Sequence, residues 1–377
     1  MAMTTEALVV AELGANPTLE TIQIDELRPD EALVEIHTVG LCHTDISCIE
    51  GTIPVEFPAV LGHEGSNGSG GGVLLKAGAH LTHLTAGSKV LLSFNSCGIC
   101  RECVSSFPSY CQNYSSLNFG GRREDGSQPL SLPLGTKLFS NFFGQSAFSK
   151  LAIVNGRTIV QVPQSTDLAL FAPLGCGIQT GAGTILNTLD VRPGQSLVVF
   201  GVGAVGLACV MAGKLRGADP LIAVDIDPTR LDLAIKLGAT HGILASDITL
   251  GIVEEIKRLC PGNGVQRAVD CSGVPSVIEQ MIKSLGSRGK AATVGAPAPG
   301  KSVNIDVFTH IIKGTHYIGS CEGDCVPSEI IPYLIEKHSQ GLFPLEELVT
   351  VYDGKDFTKA FEDARKGMVV KAVLRWK

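Results

Sequence analysis

Four cysteines crowd one short stretch, CGICRECVSSFPSYC, as Cys97, Cys100, Cys103 and Cys111 in a C-x2-C-x2-C-x7-C spacing. Turns this tight bring thiolates to a single centre, and four of them complete a tetrahedral zinc with no position left open. Such a site is structural. An iron–sulfur cluster is the main rival, because C-x2-C-x2-C also opens ferredoxin motifs. Those motifs usually place the fourth cysteine sooner and follow it with proline, whereas Gln112 follows Cys111 here. Three other residues lie far apart: Cys42 in GLCHTD, His63 in LGHEG and Cys176 in PLGCGIQTG. Each alone reads as a buried thiol or a satisfied histidine. Beside a dinucleotide fold, the three together fit a Cys2His zinc centre whose fourth place is open to water or a substrate.

The dinucleotide fold is read from VVFGVGAVG, which sets Gly201, Gly203 and Gly206 directly after an apolar run and at the opening of a helical one. The first glycine permits the tight turn, the second lets backbone approach a pyrophosphate, and the third lets helix and strand pack closely. The helix N-terminus then offers unpaired N–H groups to the phosphates. Asp225 ends the next expected strand, nineteen residues after Gly206. A carboxylate there accepts both ribose hydroxyls and repels a 2′-phosphate, which favours NAD over NADP. Arg230 reads either as a residue over the adenine or as a solvated helix residue.

Two kinds of element must position these groups. Up to about residue 175, short apolar runs such as ALVEIHTVG, SKVLLSF and GQSAFSKLAIV alternate with turn signals and read as an irregular, mostly antiparallel β domain. From about Gly194 the texture changes to alternating strand and helix. SLVVF and LIAVD read as buried strands, and PTRLDLAIKLG as a helix with Pro228 near its start and Gly238 past its end. About six strands follow in this way, giving an α/β doubly wound parallel sheet. The last fifty or so residues return to mixed texture and are expected to rejoin the first domain.

Composition bounds the function. The 377 residues suffice for two domains, with 44% apolar and 18% charged residues. A net charge of −7 gives no basic footprint, so no nucleic-acid partner is expected. No apolar run is long enough to span a membrane. MAMTTEALVV lacks the charged and apolar regions of a signal peptide, so a cytoplasmic location is expected, where thiols stay reduced.

At this point the chain resembles the zinc-dependent alcohol dehydrogenases of the medium-chain dehydrogenase/reductase superfamily over nearly its whole length. The carriers are GLCHTD, PAVLGHEG, the four-cysteine stretch, FFGQSAFSK, PLGCGIQTGAG, GVGAVG and VGAP. VLLSFNSCGICREC and FFGQSAF look most like the aryl-alcohol (benzyl-alcohol) dehydrogenases. The resemblance implies a GroES-like, β-rich catalytic domain over 1–177 and 321–377, with a Rossmann dinucleotide-binding domain over 178–320. It implies two zinc ions and NAD. Cys42, His63 and Cys176 would bind the catalytic zinc, with Glu64 an outer partner or alternate ligand. Thr44 would hydrogen-bond the substrate oxygen and pass its proton outward, and Asp45 would orient a zinc ligand. His43, Thr180, Val294 and Lys371 match positions that touch the cofactor. The reaction implied is interconversion of a primary, aromatic or otherwise hydrophobic alcohol and its aldehyde, by a homodimer or homotetramer joined near HYIGS. A specialised biosynthetic aldehyde reductase or a non-redox lyase on the same zinc scaffold is the alternative. Phe94 and Phe142 are expected to line the substrate pocket.

Two features depart from the family pattern. Ser47 stands where many members carry a relay histidine, five residues after Cys42, so the relay would end at the cofactor ribose or at water. The stretch GHEGSNGSGGGVLLKAG is longer and richer in glycine than usual, and Ser66–Gly72 reads either as a surface excursion or as a disturbance next to Glu64. Six of the twelve cysteines are left over, Cys48, Cys209, Cys260, Cys271, Cys321 and Cys325, and read as small core or loop residues.

Overall fold

A computed structural model describes residues 3–66, 74–246, 251–262 and 264–377. The chain divides into two compact units. The first comprises Met1–Cys176, Val326–Ile335 and Leu345–Lys377, and the second Gly177–Cys325 with Glu336–Pro344. The division therefore falls directly after Cys176, and residues 321–325 and 336–344 group with the second unit.

The first unit is β-rich. Its largest sheet has six strands in the order Ile159–Val162, Lys89–Leu92, Glu64–Ser66, Thr38–Gly40, Lys371–Arg375 and Val349–Asp353. All neighbours are antiparallel except the last two. Two three-stranded sheets flank it, one built on Met3–Val9 and Thr18–Ile24, the other on Glu31–Glu35. The run ALVEIHTVG thus makes two strands, Glu31–Glu35 and Thr38–Gly40, in different sheets. Leu8, Ile22, Ile36, Phe148 and Phe361 fill the core between these layers. The tail strand Lys371–Arg375 is interior to the sheet, with Val373 opposite Gly40.

One expected strand is shorter than its sequence suggests. GQSAFSKLAIV yields a strand only at Leu151–Asn155. Upstream, Asn141, Phe143, Gly144 and Ser146 all hold positive φ, which excludes an extended run.

The second unit is a six-stranded, all-parallel sheet. Taken in chain order, its strands are Leu197–Phe200, Leu221–Asp225, His241–Leu244, Val265–Asp270, Leu285–Thr293 and His316–Gly319, and they lie side by side as 3-2-1-4-5-6. This is the doubly wound dinucleotide-binding topology. The helix Pro228–Leu237 starts with Asp227 accepting the Thr229 N–H and ends at Gly238 with φ 131°. Among the described residues no single helix is long and apolar enough to cross a membrane.

Candidate active site

In the first unit Cys42, His63, Glu64 and Cys176 are all buried, and their ligand atoms lie within 4.8 Å of one another. Cys42 precedes the helix His43–Ile49 in extended conformation. His63 and Glu64 sit at the entry to the strand Glu64–Ser66, which is paired with Thr38–Gly40. The backbone before Cys176 is tied down by the Ser93 hydroxyl, which donates to the Gly175 carbonyl at 2.7 Å.

Asp45 joins these pieces. One of its carboxylate oxygens accepts the Cys42 N–H at 3.1 Å, and the other accepts the Gly62 N–H and His63 Nδ1–H, each at 3.0 Å. Holding the proton on Nδ1 leaves Nε2 as the free nitrogen of the ring. Nε2 is buried and has no hydrogen-bond partner. A buried polar atom without a partner is costly. Two thiols, a carboxylate and an orphaned imidazole nitrogen in one cluster fit a zinc ion, with Asp45 as the outer hydrogen bond that fixes the imidazole.

The cluster holds its protons unevenly, loosely on Cys42 and tightly on His63 and Glu64. Hydrogen bonding from Cys176, working against burial, holds the Cys42 thiol well below its usual range. Burial opposes charge on His63, yet Asp45 and Cys42 carry the ring well above its ordinary value. A metal entering this cluster displaces those protons. Glu64 has a second role. The Lys371 ammonium, expected against the cofactor, approaches its two carboxylate oxygens at 2.9 and 3.1 Å and donates to the Leu41 carbonyl at 3.2 Å. Burial lifts the Glu64 carboxyl to about 7 despite that ammonium. Lys371 itself would be lowered by burial, but Glu64 holds it above its usual value.

The Phe142–Phe148 segment does work that the sequence reading missed. Gln145 donates to the His63 and Ser93 carbonyls at 2.9 and 3.1 Å and accepts the Gly65 N–H at 3.2 Å. The Ser146 hydroxyl donates to the Val60 carbonyl at 2.7 Å. Phe143, at φ 52°, stacks on the His63 ring with centroids 4.4 Å apart, and Phe142 meets the same ring edge-on. Phe142 is wholly buried and serves as a wall of His63, while Phe94 packs against Tyr114. The signal available in FFGQSAF was a glycine, Gly144, beside two residues whose polar side chains can bond backbone, Gln145 and Ser146.

Thr44 is half-buried beside Cys42, with Sγ and Oγ1 3.6 Å apart. His43 is exposed and Ser47 buried. Of the glycine-rich stretch, Ser66 is buried and paired opposite Thr38, and residues 67–72 lie outside the described residues.

The four-cysteine stretch closes on itself. Cys97, Cys100, Cys103 and Cys111 bring their sulfurs within 4.8 Å of one another. No disulfide joins them, the Cys100 and Cys103 sulfurs standing 3.5 Å apart. Backbone N–H groups of Cys97, Cys100 and Asn113 point at the sulfurs of Cys111, Cys97 and Cys111, at 3.2 to 3.4 Å. Such donors favour thiolates, and N–H groups of Gln112 and Cys103 bring Cys100 down to about 6. The set fits a closed four-thiolate metal site.

In the second unit Gly201 has φ 80°, and a Cβ on Gly206 would stand 1.9 Å from the Gly201 carbonyl oxygen, so both positions require glycine. The helix Ala204–Leu215 opens straight onto this turn. The Asp225 carboxylate accepts N–H groups from Val202, Ile226 and Asp227 at 2.6, 2.7 and 3.0 Å. Arg230 is half-buried on the following helix. Val294 follows the fifth strand and donates its N–H to the Asp270 carbonyl. Thr180 lies on the helix Gly177–Gly183, with its hydroxyl on Glu322.

Known proteins share this fold. The family model for the alcohol dehydrogenase GroES-like domain matches residues 28–164, and that for zinc-binding dehydrogenase matches residues 204–339. Geraniol dehydrogenase from Castellaniella defragrans is 37% identical over 98% of this chain and 97% of its own length. A crystal structure of an alcohol dehydrogenase zinc-binding domain protein from Burkholderia ambifaria is 40% identical and superposes with a TM-score of 0.95, covering 100% and 99% of the two chains. That of benzyl alcohol dehydrogenase from Acinetobacter calcoaceticus is 38% identical, with a TM-score of 0.93 over 99% of each chain.

Proposed function

Because the chain belongs to the zinc-dependent alcohol dehydrogenases of the medium-chain dehydrogenase/reductase superfamily, we propose that it interconverts a hydrophobic primary alcohol and its aldehyde with NAD. The observation that carries this reading is the buried, unpartnered His63 Nε2 facing the thiols of Cys42 and Cys176. Zinc held by Cys42, His63 and Cys176 would supply Lewis acidity to an alcohol oxygen, and bound NAD would supply the hydride acceptor.

The chain's own residues do the rest. Asp45 keeps the His63 proton on Nδ1, so Nε2 stays a lone-pair donor. Thr44, beside Cys42, takes the hydroxyl proton and passes it outward. With Ser47 in place of a histidine, that proton goes to the cofactor ribose or to water. Phe142 and Phe143 keep water from the far side of His63. The buried Lys371 ammonium opposes the protonation that burial favours at Glu64, which lies close enough to the cluster to serve as an alternate ligand. Gly201, Gly203 and Gly206 admit the pyrophosphate to the helix N-terminus. Asp225, fixed by three N–H donors, accepts the ribose hydroxyls and repels a 2′-phosphate. Arg230, His43, Thr180 and Val294 complete the cofactor contacts. The four cysteines of the other cluster hold a second, structural zinc.

The substrate class is supported by the two named relatives. Geraniol and benzyl alcohol are both primary alcohols whose carbinol carbon adjoins a π system. Self-association into a dimer or tetramer is supported by an exposed apolar face on the helix Val307–Lys313, next to the outermost strand His316–Gly319. Twelve free thiols suit a reducing, cytoplasmic location.

The test measures bound metal and NADH formation together, with benzyl alcohol and geraniol at mildly alkaline pH. Two zincs per chain with turnover of either alcohol supports the reading. A preference for NADP overturns the cofactor assignment. Two zincs without turnover overturns the substrate class and favours the specialised reductase or lyase.

A further inference from the structure

The second unit holds a buried acid that the family motifs do not account for. Thr180 donates its hydroxyl to Glu322 Oε2 at 3.2 Å, and Gln179 Nε2 approaches the same oxygen at 3.2 Å. Glu322 is only 7% exposed. It opens a turn in which Glu322, Gly323 and Asp324 take φ values of 50°, 68° and 53°. Left-handed backbone is sparsely populated by residues that carry side chains. The turn is nonetheless pressed onto the helix Gly177–Gly183, since a Cβ at Gly323 would stand 2.7 Å from the Thr180 carbonyl oxygen. Asn187 Nδ2 closes it, donating to the Gly323 and Asp324 carbonyls at 3.1 and 3.3 Å. A turn that only had to close would place glycine or asparagine at the first position, not glutamate.

The position of the turn suggests what the acid is for. It follows the sixth strand, whose Gly319 lies opposite Thr293, and Ser320 donates its N–H to the Thr293 carbonyl at 3.0 Å. Val294 is the next residue along the fifth strand. Glu322, Thr180 and Val294 therefore gather at the C-terminal ends of the strands, the same end as Gly201 and Asp225, where open parallel sheets bind their ligands.

We propose that the Glu322 carboxylate tunes the cofactor by favouring its oxidised form, an inference that rests on the NAD reading above. The nicotinamide ring is cationic in NAD+ and neutral in NADH. With Thr180 against the cofactor as expected above, a carboxylate one side chain behind it would attract the first and be indifferent to the second. Burial keeps that attraction from being screened. When hydride leaves the carbinol carbon with its electron pair for C4 of the ring, the ring charge is lost and the hydroxyl proton departs separately. Glu322 thus biases the bound equilibrium towards alcohol and NAD+. Its hydrogen bond from Thr180 also fixes the rotamer of that hydroxyl.

The experiment is equilibrium titration of full-length protein with NAD+ and with NADH, comparing wild type, Glu322→Gln and Glu322→Asp, with thermal melts to confirm folding. The neutral Gln variant should raise Kd for NAD+ relative to Kd for NADH by about tenfold. That corresponds to a rise of about 30 mV in the two-electron potential of the bound cofactor. The Asp variant, which keeps the charge, should hold the ratio near wild type even where both affinities fall. Should Glu322→Gln fail to fold, Glu322→Asn provides a neutral side chain that tolerates positive φ. Binding of both nucleotides with an unmoved ratio in the neutral variant overturns this inference alone and leaves Glu322 a structural clamp. Wild-type protein that binds neither nucleotide overturns the NAD reading and this inference with it.

Discussion

Asp45 shows how much one carboxylate decides at the residue scale, because it serves Cys42, Gly62 and His63 at once. Asp45→Asn keeps the shape and removes the charge that faces His63 Nδ1–H. The expected result is a loss of about 10- to 100-fold in metal affinity or activity, read by chelator titration and kcat/KM. Retention of both at wild-type levels would show that geometry alone orients the ring. Asp225 makes the matching case in the second unit. Asp225→Asn should lower kcat/KM with NAD while raising the relative use of NADP, and an unchanged preference would remove Asp225 from cofactor selection. Cys42, His63 and Cys176 were legible in the sequence because zinc restricts its ligands to a few residue types. Phe143 and Glu322 were not. Their roles depend on left-handed backbone, which nothing in a phenylalanine or a glutamate announces.

Among the elements, the helix Tyr114–Phe119 links the four-cysteine cluster to the walls of His63. Tyr114 and Leu117 pack against the cysteines. Phe119 lies 6.5 Å from Tyr114 and 5.0 Å from Phe143, which stacks on His63. Asn118 pins the helix by exchanging hydrogen bonds with the Asn95 backbone at 2.8 and 3.0 Å. Replacing Cys103 with serine should therefore lower metal content by one ion, lower Tm, and also reduce kcat; a variant with normal kcat would break the proposed link. Phe143→Ala should cost about 3–5 kcal/mol of stability, read by urea denaturation. A second tie is the Arg123 guanidinium, which reaches Glu31 at 2.7 and 2.9 Å and Asp25 at 2.6 Å. Burial works to raise the Asp25 carboxyl, but the Arg123 hydrogen bond wins and holds it below its ordinary 3.8. A depressed carboxyl stabilises the fold above its unfolded pKa and stops doing so as pH falls through the folded value. The urea midpoint of wild type should drop as pH falls below about 4, and Arg123→Met should flatten that contribution. The same variant should lose about 3–5 kcal/mol at neutral pH, because Glu31 is left buried without its counter-charge. A wild-type midpoint insensitive to acid would refute the Asp25 assignment. The strand–helix alternation of the second unit was plain in the sequence, since each strand is an uninterrupted apolar run. The irregular course of residues 141–150 was not, because side-chain bonds to distant backbone set it.

For the whole molecule, the exposed stripe Val307, Phe308, Ile311 and Ile312, each at least 66% exposed, bears on assembly. Phe308→Asp with Ile312→Asp should shift the elution of the protein to a smaller species if a second copy covers this face; an unmoved elution would place the contact elsewhere. The two-part architecture was readable because composition changes sharply near Gly194. The allotment of residues 321–325 and 336–344 to the second unit was not, because it depends on packing between segments distant in sequence. The tail offers a last consequence. Lys371 reaches Glu64 from a strand that lies inside the first unit's sheet yet comes last of the elements described. A chain emerging from the ribosome therefore displays Cys42, His63, Glu64 and Cys176 long before it makes the cation that faces them. The ion pair that Glu64 makes therefore cannot close until nearly the whole described chain has been synthesised.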